Sequence, residues 1–285
     1  MRHSVILTLC LGSAVLLSAC EQNTDADVAE ALKSVNVIDE SNLNELMLTS
    51  ADPVEAVNYF RKTMIDNPDR TDIKRGLAMS LIRAKRPTEA VQAWELVVAA
   101  DDSTPEDKVG LADAQIRSGE WKSAEITLDS IPPTYETYRR YRLEAMVADS
   151  NKEWDKADSF YETALGLTTT PSGVLNNWGY SKLSRGAYPD AEKLFTEAVT
   201  YDSSLFTAKN NLVLARGAQR KYDLPVVEMS QIERAQLLHT LALSAIKQGD
   251  VATGKGLLRE AIDSHPQHFE AAVRSLRALE ANVVN

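Results

Sequence analysis

A spacing near 34 residues recurs along the chain and constrains its fold more than any other feature. A small residue followed four places later by a large apolar one appears as Ala56 with Phe60, Ala90 with Trp94, Ala124 with Leu128, Ala157 with Tyr161 and Ala191 with Phe195. The segments holding these pairs start at residues 37, 71, 105, 138 and 172, in steps of 34, 34, 33 and 34 residues. Repetition at this length marks an array in which each unit packs on its neighbours. Residues four apart share one face of a helix. The small member lets a second helix approach closely, and the large one fills the wedge beside it. Each unit therefore reads as a pair of antiparallel helices.

The punctuation agrees. Asp52-Pro53-Val54-Glu55 and Thr104-Pro105-Glu106-Asp107 each place a capping side chain before a proline at the first helical position. Pro68 and Pro266 fall where a second helix must stop. Two further units begin near Phe206 and Ala235, the latter with Gly249, Leu258, Ala261 and Pro266 in register, but the step between them is only 29 residues. The deficit falls at "RKYDLPVVEMSQIERAQ", where Pro225 takes a helix-interior place, so the sixth unit is expected to lack a proper second helix. Its apolar stretch, Leu224 to Met229, then either covers the resulting gap or meets a partner, and covering is favoured. Ser230 with Glu233 reads as a capping box opening the next helix, and Ala272, Leu276 and Leu279 make the apolar stripe of a terminal capping helix.

The clearest unit is "NNWGYSKLSRGAYPDAEKLFTEAV", residues 176–199, whose Trp178, Gly179, Gly186, Tyr188, Ala191, Phe195 and Ala198 resemble the tetratricopeptide repeat. That resemblance implies an all-α fold, a right-handed α-solenoid of helix hairpins with a C-terminal capping helix. The expected repeats cover 37–70, 71–104, 105–137, 138–171, 172–205, 206–234 (truncated) and 235–268, with the capping helix at 269–282.

Both cysteines, Cys10 and Cys20, lie in the first twenty residues, so the body holds no disulfide, thiolate metal site or cysteine nucleophile. Arg2 followed by "VILTLCLGSAVLL" reads as a secretory leader, its apolar run too short to span a bilayer as a helix. "LSAC", Leu17 to Cys20, resembles the bacterial lipobox in all four positions. The expected organisation is a leader over 1–19, a lipidated polar tether over 20–36 and the repeats over 37–285, with covalent lipid on Cys20 as the one attached group and no other cofactor. Two or three acyl chains anchor stably where one does not. Glu21, where aspartate would signal inner-membrane retention in enteric bacteria, favours the periplasmic face of the outer membrane.

A net charge of -10 argues against a nucleic-acid partner, since phosphate contacts need uncompensated Lys or Arg. The sequence has no Gly-rich phosphate loop, metalloprotease helix motif or nucleophile elbow, and "HPQH" (His265, His268) reads as an exposed turn and not as a metal clip. No enzymatic activity and no small-molecule substrate are expected. Hairpin arrays of this kind bind through a groove lined by the first helix of each repeat. Asn42, Asn177 and Asn211 take the same groove-facing place in their repeats, the last two in consecutive units, and a side-chain amide offers a peptide backbone both donor and acceptor. Tyr180 and Leu214 are candidates for apolar contact beside them.

Lipobox, polar tether and a row of such repeats together resemble the TadD family of tight-adherence (Flp) pilus assembly lipoproteins, most specifically over residues 176–267 ("NNWGYSKLSRGAYPDAEKLFTEAV", "NNLVLARGAQRKYDLP", "ERAQLLHTLALSAIKQGD"). The resemblance implies a pilotin-like outer-membrane lipoprotein that assists the pilus secretin. The expected partners are that secretin or other Flp/Tad components, with the membrane reached through the acyl anchor. The alternative is a general periplasmic assembly factor or chaperone for outer-membrane proteins, separated from the first by the number of clients.

Overall fold

The computed structural model describes residues 42–281, and the leader, Cys20 and the tether lie outside them. Every regular element among the described residues is a helix, and the architecture is the expected all-α one of stacked hairpins. Two compact units divide between Asp102 and Ser103.

The first unit holds α1 (residues 42–49), α2 (Pro53–Asp66), α3 (Thr71–Arg83) and α4 (Pro87–Val98). Asp52 caps α2, its Oδ1 accepting from the amides of Val54 (2.8 Å) and Glu55 (3.2 Å). Ala56 and Phe60 are buried, and the Phe60 ring lies against Gly76 so closely that a Cβ there would come within 2.3 Å of it. Arg83 ties α3 back to the preceding turn by donating to the carbonyls of Met47 (2.8 Å) and Ala51 (2.7 Å).

The second unit holds α5 (Pro105–Ser118), α6 (Trp121–Asp129), α7 (Tyr138–Ser150), α8 (Trp154–Gly166), α9 (Ser172–Ser184), α10 (Tyr188–Tyr201), α11 (Phe206–Ala218), α12 (Gln231–Lys247), α13 (Val251–Ser264) and α14 (Glu270–Ala281). Each helix packs on the next, and α5, α7, α9, α11 and α12 also touch in series. The small and large pairs are core throughout: Ala124 with Leu128, Ala157 with Tyr161 and Ala191 with Phe195 are all buried. Burying a side chain such as Phe195 contributes about 2 kcal/mol. Gly179 makes room for it, because a Cβ there would stand 2.7 Å from the ring.

Two backbone features repeat with the period. The turn between the helices of a hairpin has one left-handed residue, at Lys85, Gly119, Lys152, Gly186 and Gly249. The first turn of each second helix is then closed by the amide of the small residue: Ala56 donates to Asp52, Ala90 to Arg86, Ala124 to Glu120, Ala157 to Glu153, Ala191 to Ala187 and Gly254 to Asp250, at 2.9–3.1 Å.

After α11 the left-handed turn is still made, at Arg220 (φ 60°), but no helix follows before Gln231. Pro225 stands where Ala191 stands one repeat earlier, and proline has no N–H with which to close the turn. Residues 219–230 form an irregular strap instead. Tyr222, Leu224 and Met229 pack on a core of Val213, Leu237, Leu241 and Leu258, while Val227 packs on a second one with Leu175, Ala198 and Ala208. The strap covers the gap, and of its apolar residues Val226 alone is fully exposed. Ser230 and Glu233 then open α12 as a capping box, with reciprocal bonds of 2.8 and 3.2 Å. At the end of the unit, Phe269 and the buried Ala272, with Leu276 and Leu279, seat α14 on the same core as the strap.

Candidate groove on the first helices

The first helices α7, α9, α11 and α12 present a continuous face with two hollows, both walled by α9 and α11. One, of about 450 Å³, takes in Trp121, Met146, Asn176, Asn177, Tyr180 and Asn211. The other, of about 590 Å³, takes in Leu183, Tyr188, Leu214, Thr240, Leu243 and Lys247.

Asn177, Tyr180 and Asn211 thus come together in the first hollow, and Leu214 lies in the second. Asn42 is exposed on α1, in the other unit, and Cys20 falls outside the described residues. The amides do not form the expected one-per-repeat row. Asn211 is only 8% exposed, and its Nδ2 donates to Asn176 Oδ1 at 3.1 Å. Asn210 Oδ1 in turn accepts from Thr240 Oγ1 at 2.9 Å. Asn211 therefore joins first helices to each other, because it meets the position just before its repeat-mate Asn177 in the preceding repeat. The amide that stays in reach is Asn177, whose Nδ2 meets only the weak acceptor Met146 Sδ at 3.3 Å and whose Oδ1 has no partner among the described residues. Asn210 Nδ2 has none either. The doublets Asn176-Asn177 and Asn210-Asn211 were the signal in the sequence for this pairing.

The floor of the first hollow is polar and locked. Asp149 accepts from Ser181 Oγ at 2.6 Å and from Tyr161 OH at 2.9 Å. Burial lifts the Asp149 carboxyl above the ordinary aspartate value, although both hydroxyls pull the other way, and burial lifts the Tyr161 phenol well above its own. Beneath it Asp158 accepts from Trp178 Nε1 at 2.6 Å, from Lys182 Nζ at 2.9 Å and from the Arg185 guanidinium, which fastens α8 to α9. Burial alone would raise the Asp158 pKa, but these three donors hold it below the usual range.

Elsewhere, His239 is half-buried against the edge of Phe269, and burial lowers its pKa. His265 accepts from the Gln267 amide at 3.1 Å, and His268 pairs with Glu270 in the open. Among the described residues no cluster of three or more His, Cys, Asp or Glu is placed to hold a metal ion, and no helix is long and apolar enough to cross a membrane.

The stacked hairpins have the fold of a tetratricopeptide-repeat solenoid. The tetratricopeptide repeat family model matches residues 48–107 and 239–283. No curated protein matches the chain. Among solved structures, a chain of the APC/C hetero-tetramer Cut9–Hcn1 is similar at a TM-score of 0.60 and 14% identity, over 83% of this chain and 48% of that one. Human IFIT1, solved as a dimer with m7Gppp-AAAA, is similar at 0.59 and 16% identity, over 81% of this chain and 59% of that one. A tetratricopeptide repeat protein from Parabacteroides merdae is similar at 0.54 and 13% identity, over 87% of this chain and 96% of that one. The chain spans about half the length of the Cut9–Hcn1 chain it matches. These likenesses are of fold.

Proposed function

We propose that the protein is a membrane-anchored adaptor of the TadD kind, in which acyl chains on Cys20 hold it at the periplasmic face of the outer membrane and the groove captures an extended segment of the Flp/Tad secretin or a neighbouring pilus component. The observation that carries the recognition half is the first hollow, where Asn177, its amide oxygen without a partner among the described residues, lines the same space as the exposed rings of Trp121 and Tyr180. Backbone hydrogen bonds from such an amide give an extended peptide affinity, and flanking aromatic surface gives it register. The anchor half rests on "LSAC" and on the polar run to residue 36, which suit a tether between lipid and repeats. No turnover is required, since anchoring and capture together raise the local concentration of a client near the bilayer.

The test is secretin multimer assembly in cells. Cys20→Ser is expected to give a folded but mislocalised protein with assembly reduced, and Asn177→Ala with Tyr180→Ala a correctly placed protein that no longer retains its client. Normal assembly with Cys20→Ser would overturn the anchor. Retention of many unrelated outer-membrane proteins in place of one client would turn the reading to the general chaperone.

A further inference from the structure

We infer that the groove reads an acidic side chain on the segment it captures, and that Arg142 is the residue that reads it. This deepens the adaptor reading and rests on it.

Arg142 stands on α7 one turn before Met146, beside the first hollow. Its Nε is buried without a hydrogen-bond partner, and its guanidinium makes no hydrogen bond or close ion pair with any described residue. The cations around it are all served. Arg139 pairs with Glu106, Arg140 Nε with Glu144 Oε1 at 2.7 Å, and Arg117 Nε with Asp113 Oδ2 at 2.8 Å. Asp113 attracts Arg142 through space, yet its carboxylate is already held by Arg117. No acceptor comes from α9 either. Its N-cap is Pro171, and Gly173 has no side chain, with Arg142 Nη1 lying 3.8 Å from the point a Cβ there would occupy. Burial, the largest influence on this guanidinium, lowers its pKa, while the more distant Asp113 acts the other way.

A half-buried guanidinium whose Nε has no acceptor is costly, and it offers planar paired donors that match a carboxylate. An arriving carboxylate recovers that cost, so the site favours an acidic segment over a neutral one. A nucleic acid would bring many phosphates against a chain of net charge -10, which disfavours it. Arg142 precedes Met146 by one turn on α7, and Gly173, against which its Nη1 lies, precedes Asn177 by one turn on α9, so the guanidinium sits one turn along the same two helices from the lining of the first hollow. A segment that fills the hollow and runs on by that one turn presents an Asp or Glu side chain to Arg142.

The test uses the full chain in detergent on an array of acetylated nonapeptides, each made both amidated and with a free C-terminal carboxylate, and each Asp- or Glu-bearing sequence matched to its Asn, Gln and Lys counterparts. Wild type is expected to bind the acidic member at least about tenfold more tightly. Arg142→Gln should abolish that preference, Arg142→Lys should retain part of it, and Arg142→Glu should turn it toward Lys-bearing peptides, an inversion that a folding defect does not produce. An acidic preference unchanged in Arg142→Gln would overturn the assignment. Wild-type binding without acidic preference would overturn it too, while leaving the groove intact, and binding confined to peptides with a free C-terminal carboxylate would replace the side chain by a chain end. No binding of any peptide would remove the groove reading as well.

Discussion

The hairpin α9–α10 and the segment from α11 through the strap begin alike and end differently. Both open with an Asn doublet on the first helix, and both turn through a left-handed residue, Gly186 in one and Arg220 in the other. Four residues past Ala187 the amide of Ala191 closes a helical turn at 3.0 Å. Four past Lys221 stands Pro225, and the chain runs on as a strap. A hairpin of this kind is thus decided at one amide, after the turn and before most of the second helix has been laid down. The strap is not loose for lacking a helix, because Glu192 on α10 gathers Arg216 Nη1, Gln219 Nε2 and Lys221 Nζ, each at 2.8 Å, while Arg216 also holds Asp223.

The comparison is broken most severely by moving the proline. Ala191→Pro imposes the strap's defect on a regular hairpin, and removal of the closing bond with the attendant clash should cost about 3 kcal/mol or more, read by urea unfolding. A second change loosens the strap. Glu192→Gln should raise amide exchange across residues 219–230 by an amount equivalent to about 2 kcal/mol, with α10 itself little altered. Acid should act in the same direction. Burial alone would raise the Glu192 pKa, but Lys221, Gln219 and Arg216 hold it below the ordinary glutamate value of 4.5. Its contribution is therefore complete above that value and is lost as pH falls through the lower folded one, so exchange in the strap should accelerate below about pH 4.5 in wild type and not in Glu192→Gln. The smallest effect tests the shared turn. Lys152 is exposed at φ 62° where Gly186 holds 82°, and Lys152→Gly should stabilise by about 0.5–1 kcal/mol in thermal unfolding.

Hairpin architecture was legible in the sequence because small and large residues four apart can serve only a close helix crossing, and the strap was legible because proline at such a place has one physical consequence. The groove was legible only in part. The repeat frame put Asn177 and Asn211 on one face, but which of two adjacent asparagines reaches across to the next helix depends on how those helices lie together, and Asn176 took the bond assigned to neither. Arg142 could not be singled out at all, since a charge in sequence carries no record of whether its neighbours are already paired. Nor does any shift in composition mark the division between Asp102 and Ser103.

The strap also changes how the second unit comes apart. In a regular array each hairpin answers to its two neighbours, and opening spreads link by link. Here Val213 of α11, Tyr222 and Met229 of the strap, and residues of α12, α13 and α14 all share one core. Four helices and a loop are thereby committed to a single cooperative event, so the carboxyl-terminal third should resist fraying and then melt as a block, leaving the hairpins before it to unzip on their own schedule.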